Sequence, residues 1–270
     1  MKASMLFFGS LCSVIFWMNP TGSQKIAIQD EQPSKLDMAQ MSVDDMYSTC
    51  AENMQAKINK MYFAKEMQSN SFRNVWEKAA RCASIRFSKR EQEDEALTKD
   101  HMQAICVYTA GGREDFYKAF NEAVKTKRRE YGSNFLFHSL HFWLTRAIQI
   151  LRNKQECHVT YRRTNNRFTG KVNQIIRFGT FASSSKEANL THFGKKTCFK
   201  ITTCFGAYLK AYPTLGDHER EVLIPPYETF KIISKDKFEK DLADCETVYV
   251  LNSTGFKSNL DCHVAKHKPV

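Results

Sequence analysis

The sequence predicts an α+β fold in which a helical N-terminal half packs beside a β core. Up to about residue 153, apolar residues recur at three- and four-residue steps, which is typical of helices with one buried face. After Cys157, short segments rich in Val, Ile, Thr, Phe and Tyr alternate with Gly, Pro, Asn or Asp, as strands and turns do. A run of helices followed by a run of strands is the α+β pattern. A chain of 270 residues is long enough for one sizeable domain.

The helices are predicted from this periodicity and from start signals. Ser42 with Asp45 three residues later is a helix-start pattern, so a helix is expected from Val43 to about Lys65. The clearest periodicity spans Phe135–Arg152, and the residues predicted to share one face there are Leu136, Leu140, Trp143, Leu144, Ala147, Ile148 and Leu151. Further helices are expected at about Ser71–Phe87, Asp100–Tyr108 and Glu114–Lys125. Gly111-Gly112 follows no strand, so it predicts a turn and not a phosphate loop.

The strands are predicted from composition and from the turn residues that separate them. They are expected at His158–Arg162, Gln174–Ala182, Cys198–Cys204, Glu219–Ile224, Glu228–Ile233 and Thr247–Leu251.

The two ends of the chain predict a secreted protein. Residues 1–23 have the charge of Lys2, an apolar run and small residues before a cut after Ser23, which indicates a signal peptide. A membrane anchor is the alternative, but the run is shorter than the roughly 20 residues that span a bilayer, so no stable insertion is expected. Residues 263–270 form a short basic tail, unlike the apolar tail of roughly 10–20 residues in a glycolipid-anchored precursor. We therefore expect a soluble product that is secreted or stored in a granule.

Cysteine usage agrees with secretion. Once Cys12 leaves with the signal peptide, eight cysteines remain, an even number that predicts disulfides without fixing their pairing. A zinc site is the competing interpretation, but the chain has neither CxxC nor HExxH, so no metal is expected. Glycosylation is expected at the sequons of Asn189 and Asn252. The net charge of +11 favours acidic partners, although no nucleic-acid module is present and no nucleic-acid partner is expected.

A pair of glutamates is the first candidate for chemistry. Glu219 and Glu221 are two residues apart before the apolar run Val222–Ile224, so in a strand their carboxylates would share one face about 7 Å apart. Taken alone, such a pair is common at the solvated edge of a strand.

Two other segments strengthen the interpretation. CHVTYRRT at residues 157–164 places Arg162 near the end of a strand, and RFGTFASSS at residues 177–185 ends a strand in three hydroxyls, of which Ser183 is the first. With the Glu-x-Glu pair and EVLIPPYETF at residues 221–230, they resemble the arginine-specific ecto-ADP-ribosyltransferases, whose signature is an Arg, a Ser and a Glu-x-Glu on three strands. The resemblance covers nearly all of residues 24–262, including Asp44-Asp45-Met46-Tyr47. No Rossmann fingerprint or GxSxG motif competes with it.

The resemblance implies an activity and a role for each residue. NAD would be the co-substrate, with NADP use left open and no permanently bound cofactor. Arg162 would hold the phosphate and ribose region of NAD, and Ser183 would orient the catalytic glutamate. Glu221 would bind the ribose 2′-hydroxyl and stabilise an oxocarbenium-like state as nicotinamide leaves. Glu219 would position the acceptor guanidinium and help to remove its proton, and Phe193 would stack on nicotinamide.

Two carboxylates suit this chemistry. Arginine is a poor nucleophile until a neighbouring anion partly deprotonates it, because its guanidinium pKa lies above 12. Close carboxylates also raise the pKa of one another, so one of the pair is expected to titrate nearer neutrality. The expected acceptors are arginine-bearing proteins at the cell surface or in extracellular fluid. The alternatives are a secreted NAD glycohydrolase that shares Glu221 but not the use of Glu219, and a catalytically silent binding protein.

The resemblance also implies an architecture. One ADP-ribosyltransferase domain would span residues 24–262, with a helical part at about 42–153 packed on a mixed β-sandwich part at about 157–262, as a monomer. Disulfides would join Cys50 to Cys262 and Cys157 to Cys204, and each would contribute roughly 2–4 kcal/mol. One departure is Arg163, which stands where the family commonly has glycine and puts the efficiency of NAD binding in doubt.

Overall fold

A computed structural model describes residues 32–110, 114–152, 156–236 and 239–266. The predicted signal peptide and Gly111-Gly112 lie outside the described residues. The fold is of the predicted α+β class, with helices up to residue 152 and strands dominating the remainder.

Four of the predicted helices are present with small shifts at their ends. They are α3 (Asn70–Ser88), α4 (Lys99–Tyr108), α5 (Glu114–Thr126) and α6 (His138–Arg152). Helix α6 begins three residues later than expected because the buried carboxylate of Glu66 accepts the backbone N–H groups of His138 and Ser139, at 2.5 and 3.1 Å. Leu136 therefore precedes the helix and is exposed, so its predicted place on the buried face was wrong. An anion at a helix N-terminus satisfies otherwise unpaired donors and interacts favourably with the helix dipole. Trp76 of α3 stacks on Trp143 of α6 with ring centroids 4.9 Å apart, near the centre of the helical core.

The first predicted helix is shorter than expected. Residues 42–47 are not helical, and the helix consists of α1 (Ala51–Lys57), a π-helical turn at Ile58–Tyr62 and α2 (Phe63–Glu66). The prediction of a start near Val43 was wrong because the polar groups of the presumed start signal bond elsewhere. Ser42 donates its hydroxyl to the Gly179 carbonyl at 2.7 Å, and Asp45 accepts from the backbone of Cys262 at 2.9 Å.

These contacts join the beginning of the fold to its end. Asp44 is buried, forms an ion pair with buried Arg177 and accepts the backbone N–H of Leu260 at 3.0 Å. The Cys50–Cys262 disulfide closes the same junction. Beyond it, the first residues of the predicted basic tail form α7 (His263–Lys266), and Val264 and Ala265 are buried there. This part of the tail is therefore packed into the fold.

The strands form one continuous eight-stranded mixed sheet and a separate two-stranded one. The small sheet pairs β1 (Ser34–Lys35) with β3 (Phe168–Thr169). The strands of the large sheet are β2 (His158–Thr164), β4 (Ile175–Ile176), β5 (Ala182–Ser185), β6 (Thr197–Thr203), β7 (Ala207–Tyr208), β8 (Glu221–Ile224), β9 (Glu228–Asp236) and β10 (Val248–Phe256). Their order in the sheet is β4-β9-β10-β6-β2-β5-β8-β7. Strands β2, β5 and β8 are neighbours in this sheet, although they are far apart in sequence.

The predicted strand at Gln174–Ala182 is divided into β4 and the start of β5. The break follows from Arg177, whose guanidinium bonds to Asp44 and to backbone carbonyls of the N-terminal segment, and from Gly179. Gly179 has φ +69°, and a Cβ added there would lie 2.3 Å from the Cβ of Ala39. Only glycine fits this close approach. Among the described residues, no helix is both long and apolar enough to cross a bilayer.

Candidate active site

The three neighbouring strands bring the predicted site residues to one cavity. A cavity of about 760 Å³ is lined by Arg162 of β2, Ser183 of β5, Glu221 of β8, and also by Glu219 and Phe193. Adjacent strands with antiparallel register account for the convergence, since Tyr161 pairs with Ser185, which in turn pairs with Glu221. A volume of this size is within the range of small-molecule and cofactor sites.

Arg162 is oriented by the neighbouring strand. Its Nη1 donates to the carbonyl oxygen of Ser183 at 2.5 Å, a contact that uses one of the five N–H donors of a guanidinium. A rigid, half-buried cationic fork at the wall of a cavity suits the oxygens of a phosphate.

The three serine hydroxyls have different partners. Ser184 donates to the Val222 carbonyl at 2.8 Å and Ser185 donates to the Glu219 carbonyl at 2.5 Å, so both fix the backbone around the glutamates. Ser183 instead lies beside Glu221, and its hydroxyl favours the charged carboxylate, which lowers the pKa of Glu221. Of the three, Ser183 therefore acts directly on a carboxylate of the pair.

Glu221 is the electrostatic centre of the cavity. It is only 7% exposed, and burial raises its pKa to about 7, because a charged carboxylate loses hydration there. The Ser183 hydrogen bond lowers this pKa, the charge of Glu219 raises it and Arg162 lowers it. A raised pKa was expected from the repulsion between the two carboxylates, but burial is the larger cause.

Glu219 lies in a turn and not in the strand. Strand β8 begins at Glu221, and the residue between them, Arg220, has φ +43°. The prediction that the pair occupies alternate positions of one strand was therefore wrong. The left-handed residue turns the chain, and the backbone of Arg220 and Glu219 is held by hydrogen bonds from Lys186 N–H and the Ser185 hydroxyl. Both carboxylates still line the same cavity.

Phe193 lies at the rim of the cavity. It ends a short 3₁₀ turn, Thr191–Phe193, and its side chain is 46% exposed. Asn189, two residues before this turn, is exposed, as is Asn252 on β10.

The side chain of Arg163 bonds to residues that are not among the predicted site residues. Its Nε donates to the Ala188 carbonyl at 2.7 Å, and its two terminal nitrogens bind both oxygens of Asp244. The side chain is 4% exposed and adjoins the Cys198–Cys245 disulfide. A side chain at this place in the family pattern is thus accommodated by an ion pair that the sequence analysis did not foresee.

Tyr108 is a second residue that sequence reasoning missed. It is buried at the end of α4, lines the cavity, and donates its hydroxyl to the Phe181 carbonyl at 2.8 Å. Its oxygen also interacts with Ser183. A tyrosine on the apolar face of a helix gives no sequence signal of this contact.

The eight cysteines in the described residues form four disulfides. Cys50–Cys262 and Cys157–Cys204 have the pairing that the resemblance implied. Cys82–Cys106 joins α3 to α4, and Cys198–Cys245 joins β6 to the segment before β10.

An α+β fold with an arginine, a serine and a Glu-x-Glu pair converging on one cavity defines an ADP-ribosyltransferase architecture. The chain belongs to the NAD:arginine ADP-ribosyltransferase family, whose model matches residues 36–248. The family predicted from the sequence, and with it the class of NAD-using transferases, is confirmed.

Relatives and solved structures agree. The chain is 33% identical to an erythroblast NAD(P)(+)–arginine ADP-ribosyltransferase of Gallus gallus, over 86% of this chain and 77% of that protein. It is 33% identical to the GPI-linked NAD(P)(+)–arginine ADP-ribosyltransferase 1 of Mus musculus, over 88% and 75% of the two chains. A crystal structure of a mutant of the eukaryotic mono-ADP-ribosyltransferase ART2.2 in complex with NADH has a TM-score of 0.72 and 29% identity, covering 85% of this chain and 99% of that one.

The same relatives correct the predicted location. They include proteins named GPI-linked and, in Homo sapiens, ecto-ADP-ribosyltransferase 4, which is 34% identical over 92% of this chain and 77% of that protein. These names describe enzymes at the cell surface, so the prediction of a product that is secreted or stored in a granule was wrong. It rested largely on the basic residues after Cys262, and the described part of that segment is a packed helical turn.

Proposed function

We propose that this chain moves ADP-ribose from NAD to arginine side chains of proteins with release of nicotinamide. The observation that carries the proposal is the convergence of Arg162, Ser183, Glu219 and Glu221 on one cavity of about 760 Å³. The names and family of its relatives point to the same reaction.

In the proposed reaction, the C–N bond between the ribose and nicotinamide breaks and nicotinamide takes the bonding electrons. Arg162 binds the phosphate and ribose region of NAD as a charge-assisted donor. Ser183 holds the carboxylate of Glu221, which binds the ribose 2′-hydroxyl and stabilises the positive charge that develops on the ribose. Because Glu221 is buried, water screens this interaction weakly.

The acceptor arginine nitrogen then forms the new bond to the ribose carbon. Its proton passes to Glu219, which stands in the turn before Glu221 and lines the same cavity. Phe193 covers the nicotinamide from the rim, where an exposed aromatic ring is available for stacking.

The test uses agmatine as the arginine analogue. Full-length protein is incubated with NAD labelled in its adenosine part, and nicotinamide and ADP-ribosyl-agmatine are measured together. In the Glu219→Gln variant we expect transfer to fall by about 100-fold while hydrolysis of NAD persists, because only the acceptor carboxylate is lost. Glu77→Gln, an exposed glutamate on α3, is the matched control and should behave like the unsubstituted chain.

Two alternatives give different results in the same assay. An NAD glycohydrolase would release nicotinamide without ADP-ribosyl-agmatine in the unsubstituted protein, and Glu219→Gln would change nothing. The glycohydrolase is the relevant second candidate because Glu219 lies in a turn, apart from the strand that holds Glu221, and only Glu219 is needed for the arginine acceptor. A silent binding protein would release no nicotinamide, and either result would refute the transferase.

Four disulfides fit an oxidising, extracellular environment, so the proposed acceptors are arginine-bearing proteins at the cell surface or in extracellular fluid. We further propose one ADP-ribosyltransferase domain over residues 24–262, acting as a monomer and accepting NADP as well as NAD. The exposed Asn189 and Asn252 are the proposed glycosylation sites. Enzymatic deglycosylation should lower the apparent mass of the expressed protein, and an Asn189→Gln/Asn252→Gln variant should show no such change.

A further inference from the structure

A second cavity, separate from the proposed active site, lies between α6 and the sheet. Its volume is about 490 Å³, and it shares no lining residue with the larger cavity. Arg146 and Gln149 line it from α6, Tyr208 from β7, and Lys186 from the segment after β5. No proposed catalytic step uses these side chains.

The acidic end of this cavity surrounds a single lysine. The ammonium group of Lys210 lies 2.7 Å from Glu91 and 2.8 Å from Asp94, and it also binds Glu93. These acidic side chains raise the pKa of Lys210, so it stays charged. The three carboxylates are close enough to hold a metal ion, but the lysine occupies the position between them.

Two cations of the cavity have no such partner. The half-buried guanidinium of Arg146 bonds to the amide oxygen of Gln149 at 2.5 Å, and no ion pair with a carboxylate is formed within the described residues. Lys186 places its ammonium group 3.9 Å from the centre of the Tyr208 ring, and it too forms no ion pair in the part of the chain described.

The surroundings of both side chains disfavour their charged forms. Burial lowers the pKa of Arg146. Burial and the nearby charge of Arg220 also lower the pKa of Lys186, and the charge of Asp217 offsets only part of this effect. Charges taken out of water are normally paired, so two cations that form no ion pair at one end of a cavity indicate an anionic ligand.

We propose that this cavity binds a tetrahedral oxyanion, the phosphate or sulfate group of an ester, between Arg146 and Lys186. The planar guanidinium provides two parallel N–H donors to such a group, and the ammonium provides a mobile point charge beside it. Tyr208 contributes a wall on which Lys186 rests. The Lys186 backbone N–H donates to the Arg220 carbonyl at 3.1 Å, so the bound anion lies close to the turn that carries Glu219.

The experiment measures binding of two matched esters, glucose 6-phosphate and glucose 6-sulfate, to the full-length protein by isothermal titration calorimetry. We expect one or both to bind, and the difference between them identifies the preferred anion. Arg146→Gln and Lys186→Gln should each weaken binding by about tenfold or more, which corresponds to about 1.4 kcal/mol. Lys171→Gln, which removes an exposed cation elsewhere, should change it by less than about twofold.

An additional variant separates this cavity from the proposed active site. Arg162→Gln removes the oxyanion partner of the larger cavity and should leave binding of the ester intact. The proposal is overturned if neither ester binds at millimolar concentration, or if Arg162→Gln abolishes binding while Arg146→Gln and Lys186→Gln do not. Because Lys186 is near the surface, its variant should fold even if that of Arg146 does not, and near-ultraviolet circular dichroism verifies this for each variant.

Discussion

Arg163 and Asp244 form a two-pronged ion pair, with Nη2 2.9 Å from Oδ1 and Nη1 3.1 Å from Oδ2. Arg163 is the neighbour of the proposed NAD-binding Arg162, and its hydrogen bonds hold the Asp244 pKa below its usual range. The pair lies beside the Cys198–Cys245 disulfide, so β2, β6 and the segment before β10 are joined at one place. Arg163 thereby has a structural role of its own.

The first prediction concerns the stability of this junction. Asp244→Ala leaves a buried guanidinium without a counter-charge, so we expect the free energy of unfolding to fall by about 2 kcal/mol, less than for a wholly buried pair because Asp244 is 36% exposed. Urea unfolding measures the change. The Arg163→Gln/Asp244→Ala double variant should lose less stability than the sum of the losses in the two single variants, and strict additivity would mean that the pair does not couple.

Arg163→Gln should alter kcat/KM for NAD by less than about threefold, against about 100-fold for Arg162→Gln.

The second prediction concerns pH and activity. Because burial raises the pKa of Glu221 to about 7, and the proposed reaction needs its charged form, kcat/KM for NAD should rise with pH and reach half its plateau near pH 7. Ser183→Ala removes a bond that favours the charged form, so the midpoint should move upward. Glu219→Gln removes a repelling charge and should move it downward. A midpoint that stays near pH 4.5 in the unsubstituted protein would contradict the assignment.

The third prediction concerns the effect of the Glu221 titration on the stability of the folded chain. The pKa of Glu221 is higher in the folded chain than its ordinary value of 4.5, so its favourable contribution is complete below that value and is lost as the pH rises through 7. Glu221→Gln is neutral at every pH. Its melting temperature should therefore match the unsubstituted chain at pH 4 and exceed it at pH 8. Equal melting temperatures at both pH values would mean that the carboxylate is not buried in its charged form.

The sequence predicted the parts of this molecule that depend on local pattern. Helices α3 to α6 lie where periodicity placed them, and Arg162, Ser183 and Glu221 converge because their motifs begin or end strands that pair. What it did not predict depends on contacts distant in sequence. Asp45 resembles a helix-start residue but binds a backbone more than 200 positions away, and Asp244 is not marked by any motif as the partner of Arg163. Rules based on neighbouring residues predict neither of these contacts.

The left-handed backbone of Arg220 gives the fourth prediction. Arg220 has φ +43°, a conformation that costs a residue with a Cβ roughly 1 kcal/mol, and its guanidinium binds Glu187 at 2.9 Å. Replacement by glycine or by alanine removes the ion pair equally, so the difference between the two variants reports the backbone alone. Arg220→Gly should be more stable than Arg220→Ala by about 1 kcal/mol in urea unfolding. Equal stabilities would mean that the turn relaxes out of the left-handed region.

The fifth prediction compares two disulfides that close loops of different length. Cys50–Cys262 spans 212 residues and Cys82–Cys106 spans 24. If each acts mainly by restricting the unfolded chain, replacing the first pair by serine should lower the free energy of unfolding by about 2 kcal/mol more than replacing the second, since the loop entropy grows with the logarithm of length. Chemical denaturation of the two double variants, each with its other bridges intact, measures the difference.

Part of the larger loss should also appear as easier opening of the Asp44–Leu260 junction, visible as faster hydrogen exchange at the Leu260 amide. A larger loss for the Cys82–Cys106 pair would show instead that the contacts of α3 and α4 with the turn of Thr214 dominate over loop entropy.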